Sequence, residues 1–316
     1  MRRLLLVLAL LGGVLGLAAL VWLRSGPAPA TFAERRARLR TKVIRDPRGI
    51  AREPPAPGPA GAFERVQYPS SLGPLWAYVS APSPGAARRP AIVWATGGFS
   101  GSIDEDGLQM GPADDDHSAV AFHEAGIVLV KPSFRGGNDN PGRYEELYGE
   151  VDDFLAAVEY TRRLPYVDPA RVYIGGHSTG GTLVLLAAAL SDGFRAGFAF
   201  GPVESARSYG ENLAPFDPVG LAALAEWELR SPILFVAEVR RPLFVFEGAQ
   251  RGNAESVRQL AEAAQVTRAP IRTFLLPWGD HFSILQPLTI RVAQKILADT
   301  GESPSLSFSA EDLVAP

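Results

Sequence analysis

Arg171-Val-Tyr-Ile-Gly-Gly-His-Ser-Thr-Gly-Gly-Thr-Leu-Val-Leu-Leu-Ala-Ala-Ala-Leu190 is the stretch that decides how the rest of the chain is read. Arg171 to Ile174 is β-branched and aromatic and predicts a strand. Thr182 to Leu190 is rich in Ala and Leu and predicts a helix. Between them lies Gly176-His-Ser-Thr-Gly180, a Gly-x-Ser-x-Gly pattern in a strand–turn–helix setting. So sharp a turn leaves no room for side chains beside the serine, which is why glycines flank it. It would expose the Ser178 hydroxyl over the positive end of the following helix, the setting of a nucleophile.

A serine nucleophile needs a base. The chain holds 4 histidines: His117, His123, His177 and His281. In this strand–turn–helix arrangement the order along the chain is Ser, acid, His, so only His281 is eligible. It lies in Pro277-Trp-Gly-Asp-His-Phe-Ser283, after a predicted strand (Ile271 to Leu276) and before a predicted helix (Ile284 to Ala298). A loop imidazole has the near-neutral pKa and the freedom that a general base requires. Oxyanion donors are expected from Gly98, in the apolar run Ala91-Ile-Val-Trp-Ala-Thr-Gly-Gly-Phe-Ser100, and from Thr179, the residue after the serine.

From Ile127 to Leu190 the chain resembles the catalytic domain of the prolyl oligopeptidase family. The matching pieces are Pro132-Ser-Phe-Arg-Gly-Gly137, Gly149-Glu-Val-Asp-Asp-Phe-Leu-Ala-Ala-Val-Glu-Tyr160, Val167-Asp-Pro-Ala-Arg-Val172 and Gly175-Gly-His-Ser-Thr-Gly-Gly181, with Asp280-His281-Phe282 beyond them. The resemblance runs from Ala91 to Thr300. It implies an α/β-hydrolase fold, a mostly parallel central sheet with helices on both faces, with Ser178 as nucleophile and His281 as base. The larger peptidases of that family carry an N-terminal β-propeller, for which residues 31–90 are too few.

The acid departs from the pattern. Hydrolases of this type usually read His-Gly-x-x-Asp after the strand that here is Pro242-Leu-Phe-Val-Phe-Glu247. Laid on this chain, Glu247 falls at the His position and Arg251 at the Asp position. An arginine has no acceptor for an imidazole N–H. Glu247 is placed first as the acid because it ends the strand and has the longer reach. Glu204, after the strand Gly197 to Pro202, and Glu255, at a helix start, remain alternatives.

The rest of the chain alternates strand and helix patterns. Strands are expected at Ala91–Ala95, Ile127–Lys131, Gly197–Phe200 and Leu243–Glu247, and helices at Ala119–Glu124, Glu150–Leu164 and Ala254–Ala264. Phe63 to Tyr68 and Leu75 to Ser80 read as a hairpin. Ser205 to Arg241, with Tyr209, Phe216, Trp227 and Phe235, reads as a small helical insertion over the site. The catalytic domain is thus expected over 62–300, with a tail at 301–316. Glu150, Asp152 and Asp153 suit a helix start, where carboxylates oppose the macrodipole. Arg135 is open between binding a substrate carboxylate and anchoring its loop. The acidic runs Asp104-Glu-Asp106 and Asp114-Asp-Asp-His117 fit no metal-ligand spacing and read as solvated or capping loops.

Net charge −3 and a sequence pI near 5.9 give no reason to expect nucleic-acid binding. With 0 cysteines, thiol chemistry and disulfides are excluded. Met1-Arg-Arg precedes an apolar run from Leu4 to Leu23, roughly the ~20 residues of a bilayer span. Residues 1–30 are therefore expected to be a signal peptide or a retained membrane anchor, placing the domain outside the cytoplasm. Residues 31–61 then form a juxtamembrane segment and a Pro/Gly-rich linker. The expectation is an exported serine hydrolase acting on an ester or a peptide/amide bond of a small-molecule or peptide substrate, without cofactor or metal. The alternative is a non-catalytic exported binding protein on the same fold.

Overall fold

The computed structural model describes residues 30–44, 52–82, 85, 87–212 and 221–315. The apolar run Leu4 to Leu23, and with it the expected signal or anchor, lies outside the described residues, as does Phe216. No helix among the described residues is long and apolar enough to cross a membrane.

The uninterrupted apolar runs of the sequence become the middle of a sheet covered on both faces. In β3 (Arg89–Ala95), β4 (Val128–Pro132), β6 (Gly197–Phe200) and β7 (Leu243–Gly248) nearly every side chain is buried. That is the signature of parallel strands sandwiched between helix layers. β1 (Phe63–Ser70), at the sheet edge, is largely exposed instead, with only Phe63 and Tyr68 buried. With β2 (Gly73–Ser80), β5 (Val167–His177) and β8 (Ile271–Leu276) they form one 8-stranded sheet in the order β1-β2-β4-β3-β5-β6-β7-β8. The β1–β2 and β2–β4 pairs are antiparallel and all later pairs are parallel.

One face is covered by α3 (Gly149–Arg162), α4 (Thr179–Leu190) and α6 (Ala254–Thr267). The other is covered by α2 (Val120–Glu124) and α7 (Leu285–Ala298). α4 is buried from Thr179 to Ala188, as expected of a helix apolar all round. The predicted insertion contains 3₁₀ turns at Ala206–Asn212 and Pro232–Glu238 and the helix α5 (Leu221–Glu228).

Both flanks of the expected domain pack onto it. α1 (Phe32–Arg38) begins with a capping box of Thr31 and Glu34. Its Phe32 is fully buried and stacks on Phe235 at 4.0 Å. In the tail, Phe308 packs on Phe244, Phe246 and Phe274, and the Trp278 indole N–H donates to the Leu313 carbonyl at 2.8 Å. Asp299 binds Arg195 and the Tyr173 hydroxyl at 2.7 Å each, fixing where the tail leaves α7.

The carboxylates at the start of α3 have different fates. Asp152 is half exposed and meets Arg36 at 2.9 Å. Asp153 is fully buried and takes two hydrogen bonds from the Arg135 guanidinium at 2.8 Å and one from the Arg135 backbone at 2.9 Å. Glu145 holds the third guanidinium nitrogen at 3.1 Å. Arg135 therefore anchors its own loop. The macrodipole reading fits Asp152, but Asp153 is the buried counter-ion of Arg135. Glu150 is 2% exposed; one carboxyl oxygen accepts the Glu145 N–H at 2.6 Å and the other has no partner. Burial pushes its carboxyl up to about 7.

The acidic loops serve as local caps. Asp104 accepts the Gly107 N–H at 3.0 Å, and Asp116 accepts the N–H of Gly111 at 3.1 Å and of Ser118 at 3.0 Å. No group of three or more His, Asp or Glu suited to a metal ion occurs among the described residues.

Two stability outcomes follow from this helix start. Removing one partner of a buried ion pair strands the other charge, so Asp153→Ala should cost about 3–5 kcal/mol in urea unfolding. Asp152→Ala, at an exposed pair, should cost less than about 1 kcal/mol. Glu150 ionises near 4.5 in the unfolded chain but keeps its proton to about 7 in the fold. Its contribution is therefore complete below pH 4.5 and is lost as pH rises through 7. Glu150→Gln should remove a fall of about 3 kcal/mol in unfolding free energy between pH 4 and pH 8. A pH profile identical in wild type and Glu150→Gln would contradict this assignment.

Candidate active site

At the C-terminal end of β5 the backbone takes a conformation that side-chain-bearing residues avoid. Ser178 has φ 56° and ψ −117°. Strain of this kind persists only where the surroundings hold it, and such positions cluster at functional sites. The Ser178 N–H donates to the Phe200 carbonyl of β6 at 2.8 Å, and its carbonyl accepts the Thr182 N–H at 3.0 Å to start α4. A side chain at Gly180 would collide with the Ala95 carbonyl of β3, and one at Gly181 would lie 2.7 Å from the Phe200 carbonyl. The glycines after the serine thus let the helix start sit directly on the ends of the two neighbouring strands.

The loop after β3 meets this turn. A side chain at Gly97 would lie 3.2 Å from the Ser178 Cβ. Gly98 has φ 92°, and its carbonyl accepts the Thr179 hydroxyl at 2.6 Å. Both residues expected to donate to an oxyanion are therefore tied together beside Ser178. Behind them is a small cavity of about 20 Å³, lined in part by Gly98, Thr179, Phe134 and Glu150.

His281 comes from the loop after β8. Asp280 shapes that loop by accepting the N–H of Phe282 at 3.1 Å and of Ser283 at 2.9 Å. These bonds hold the Asp280 carboxyl below its usual range. The His281 Nδ1 lies 2.9 Å from Oε2 of Glu247, the fully buried residue near the end of β7. The carboxylate is held in turn by the N–H groups of Gly248 at 2.7 Å and Asn253 at 3.1 Å. An Nδ1–H donated to Glu247 leaves the Nε2 lone pair as the acceptor.

Gly201, the residue after β6, brings the parts together. A side chain there would strike both the His281 imidazole and the Glu247 carboxylate. The preceding carbonyl, that of Phe200, is the one that receives the Ser178 N–H. The serine turn and the histidine–carboxylate pair thus both adjoin one peptide. The other acid candidates lie elsewhere. Glu204 accepts the Ser208 hydroxyl at 2.7 Å, and Glu255 is exposed and pairs with Arg258 at 3.0 Å. Arg251, at the position usual for Asp, is exposed.

His177 was not singled out by its sequence position. It is 3% exposed, its Nε2 donates to the His281 carbonyl at 3.0 Å, and its ring lies 4.5 Å from the His281 ring. Burial, then the neighbouring His281 and His117, hold it well below the usual histidine range, so it is neutral. It ties the histidine loop to the serine turn. His117 pairs with Asp115 at 2.6 Å, and His123 lies 2.9 Å from the Ser80 hydroxyl. Neither is in contact with Glu247.

Known proteins share this frame. A stretch of 101 residues is 32% identical to the dual function macrocyclase-peptidase POPB of Galerina marginata, covering 30% of this chain and 13% of that protein. A stretch of 114 residues is 31% identical to the quorum-quenching protein AidA of Acinetobacter baumannii, covering 32% of this chain and 37% of that one. The matches thus span well under two thirds of these relatives. Among solved structures, the acylaminoacyl peptidase of Pyrococcus horikoshii superposes with TM-score 0.62 at 16% identity, over 80% of this chain and 44% of its own. A Pyrobaculum calidifontis esterase superposes with TM-score 0.55 at 17% identity, over 76% and 86% of the two chains. These superpositions establish the α/β-hydrolase fold. Residues 113–284, more than half of the chain and the span that carries the serine turn, Glu247 and the histidine loop, match the prolyl oligopeptidase family, and the chain belongs to it.

Proposed function

We propose that this protein is a serine hydrolase that cleaves ester or amide bonds through an acyl-enzyme. The observation that carries the reading is the 2.9 Å contact of His281 with the buried Glu247, one peptide away from the strained Ser178. Family membership and the relatives' printed names, which include peptidase, macrocyclase-peptidase and esterase, support the same acyl chemistry.

In this mechanism the His281 Nε2 takes the Ser178 proton as the hydroxyl oxygen attacks the substrate carbonyl. Glu247 keeps the proton on Nδ1 and stabilises the imidazolium that forms. The peptide N–H groups of Gly98 and Thr179 receive the charge that develops on the carbonyl oxygen. The imidazolium then protonates the leaving alcohol or amine. Water, deprotonated by the same imidazole, attacks the ester on Ser178 and releases the acid. His177 positions His281 through its carbonyl and, being neutral, adds no charge against the imidazolium. The substrate is a small-molecule ester or a peptide.

A fluorophosphonate probe should label the wild type and leave Ser178→Ala unlabelled. Labelling that survives in Ser178→Ala would remove the serine from the mechanism. A glutamine at position 247 cannot take the charge of the imidazolium and favours the wrong tautomer, so Glu247→Gln should lower kcat by ~10⁴-fold. Glu255→Gln, at an exposed pair, should stay within about twofold. Equal and small effects of these substitutions on ester hydrolysis would dismiss Glu247 as the acid.

A further inference from the structure

The segment of residues 31–44 does more than lie on the surface. At the end of α1 the Tyr148 hydroxyl lies within hydrogen-bond distance of two carbonyls, those of Arg36 at 2.9 Å and Leu39 at 3.0 Å. The segment then crosses to α5 of the insertion. The Thr41 hydroxyl and the Lys42 N–H both donate to the Glu226 carboxylate at 2.8 Å. The fully buried Arg230 closes this latch, binding Glu226 at 2.6 Å and the Thr41 hydroxyl oxygen at 2.7 Å. A buried guanidinium satisfied this way fixes both segments relative to each other.

The latch delivers Val43 to a particular place. Val43, Phe99, Tyr209 and Trp227 pack around the buried Ala206. Each of the four is mostly buried yet keeps part of its surface exposed, so together they form an apolar wall at the protein surface. The wall adjoins Ser178 from two sides. Phe99 follows Gly98 in the loop that meets the serine turn. Tyr209 stands edge-on to Phe99 at 5.4 Å, and its hydroxyl lies 2.6 Å from that of Thr182, in the first turn after Ser178. An apolar wall beside a nucleophile binds the apolar group attached to the reacting carbonyl.

We infer that this N-terminal strap forms the outer wall of the substrate site, and that Val43 limits the size of the apolar acyl group that reaches Ser178. The inference rests on the reading of Ser178 as the nucleophile. It makes Val43 a specificity-determining residue contributed by a segment far from the catalytic motifs in sequence.

The test compares kcat/KM for p-nitrophenyl octanoate with that for p-nitrophenyl acetate in wild type, Val43→Ala and Val43→Phe. Because a methylene-sized change in an apolar pocket shifts selectivity by about tenfold, the octanoate-to-acetate ratio should rise about tenfold in Val43→Ala and fall comparably in Val43→Phe. Thermal unfolding of each variant is measured alongside. A purely structural role for Val43 would lower the melting temperature and both rates together, leaving the ratio fixed and overturning the inference. Should Val43→Phe fail to fold, the Val43→Ala ratio decides alone. Ester hydrolysis that persists in Ser178→Ala would defeat the nucleophile reading instead. Hydrolysis that needs Ser178 but shows one ratio in all variants would defeat only the strap's role.

Discussion

The peptide joining Phe200 to Gly201 holds this site together. Its carbonyl receives the Ser178 N–H, and its glycine lies against both the imidazole of His281 and the carboxylate of Glu247. No side chain fits at Gly201, so the imidazole and the carboxylate lie directly against the backbone there. The same logic governs the other flank, where Gly180 brings the start of α4 onto the Ala95 carbonyl. Backbone-on-backbone packing is stiff. A strained φ of 56° at Ser178 persists because strands on both sides prescribe where the turn goes.

The carboxylate beside His281 comes from a position other than the loop site usual for Asp. In this chain the carboxylate leaves from β7 itself, and the N–H groups of Gly248 and Asn253 hold its oxygens. The longer glutamate side chain spans the gap from the strand. With that place filled, the loop position taken by Arg251 is left at the surface, where its charge lies near Asp280.

The domain is closed by segments outside the alternating strand–helix core. The 31–44 strap pins the insertion through Glu226 and Arg230, while the tail after α7 is locked by Asp299, Phe308 and Trp278. Buried polar groups satisfied on all sides fix geometry. Here they fix the position of the insertion against the strap. Arg135, with Asp153 and Glu145, does the same for the loop after β4.

The sequence singled out Ser178 and His281 as candidates, the first because a glycine-flanked turn between a strand and an Ala/Leu helix is local chemistry, the second by the chain order of the motifs. The same holds for the sheet: unbroken apolar runs such as Ile92 to Ala95 mark strands covered on both faces. What the sequence left open depended on distances across the fold. Glu247, Glu204 and Glu255 are equally acidic on paper, and only the pairing of β7 with β6 and β8 puts the first against His281. Asp152 and Asp153 are neighbours in sequence, yet the helical twist sends one to solvent and the other under Arg135. The contacts of His177 and the strap were invisible for the same reason. A hydrogen bond to a carbonyl 104 positions away, or a valine laid beside Phe99, leaves no periodicity or spacing in the chain, since such contacts arise only when separate segments are packed together.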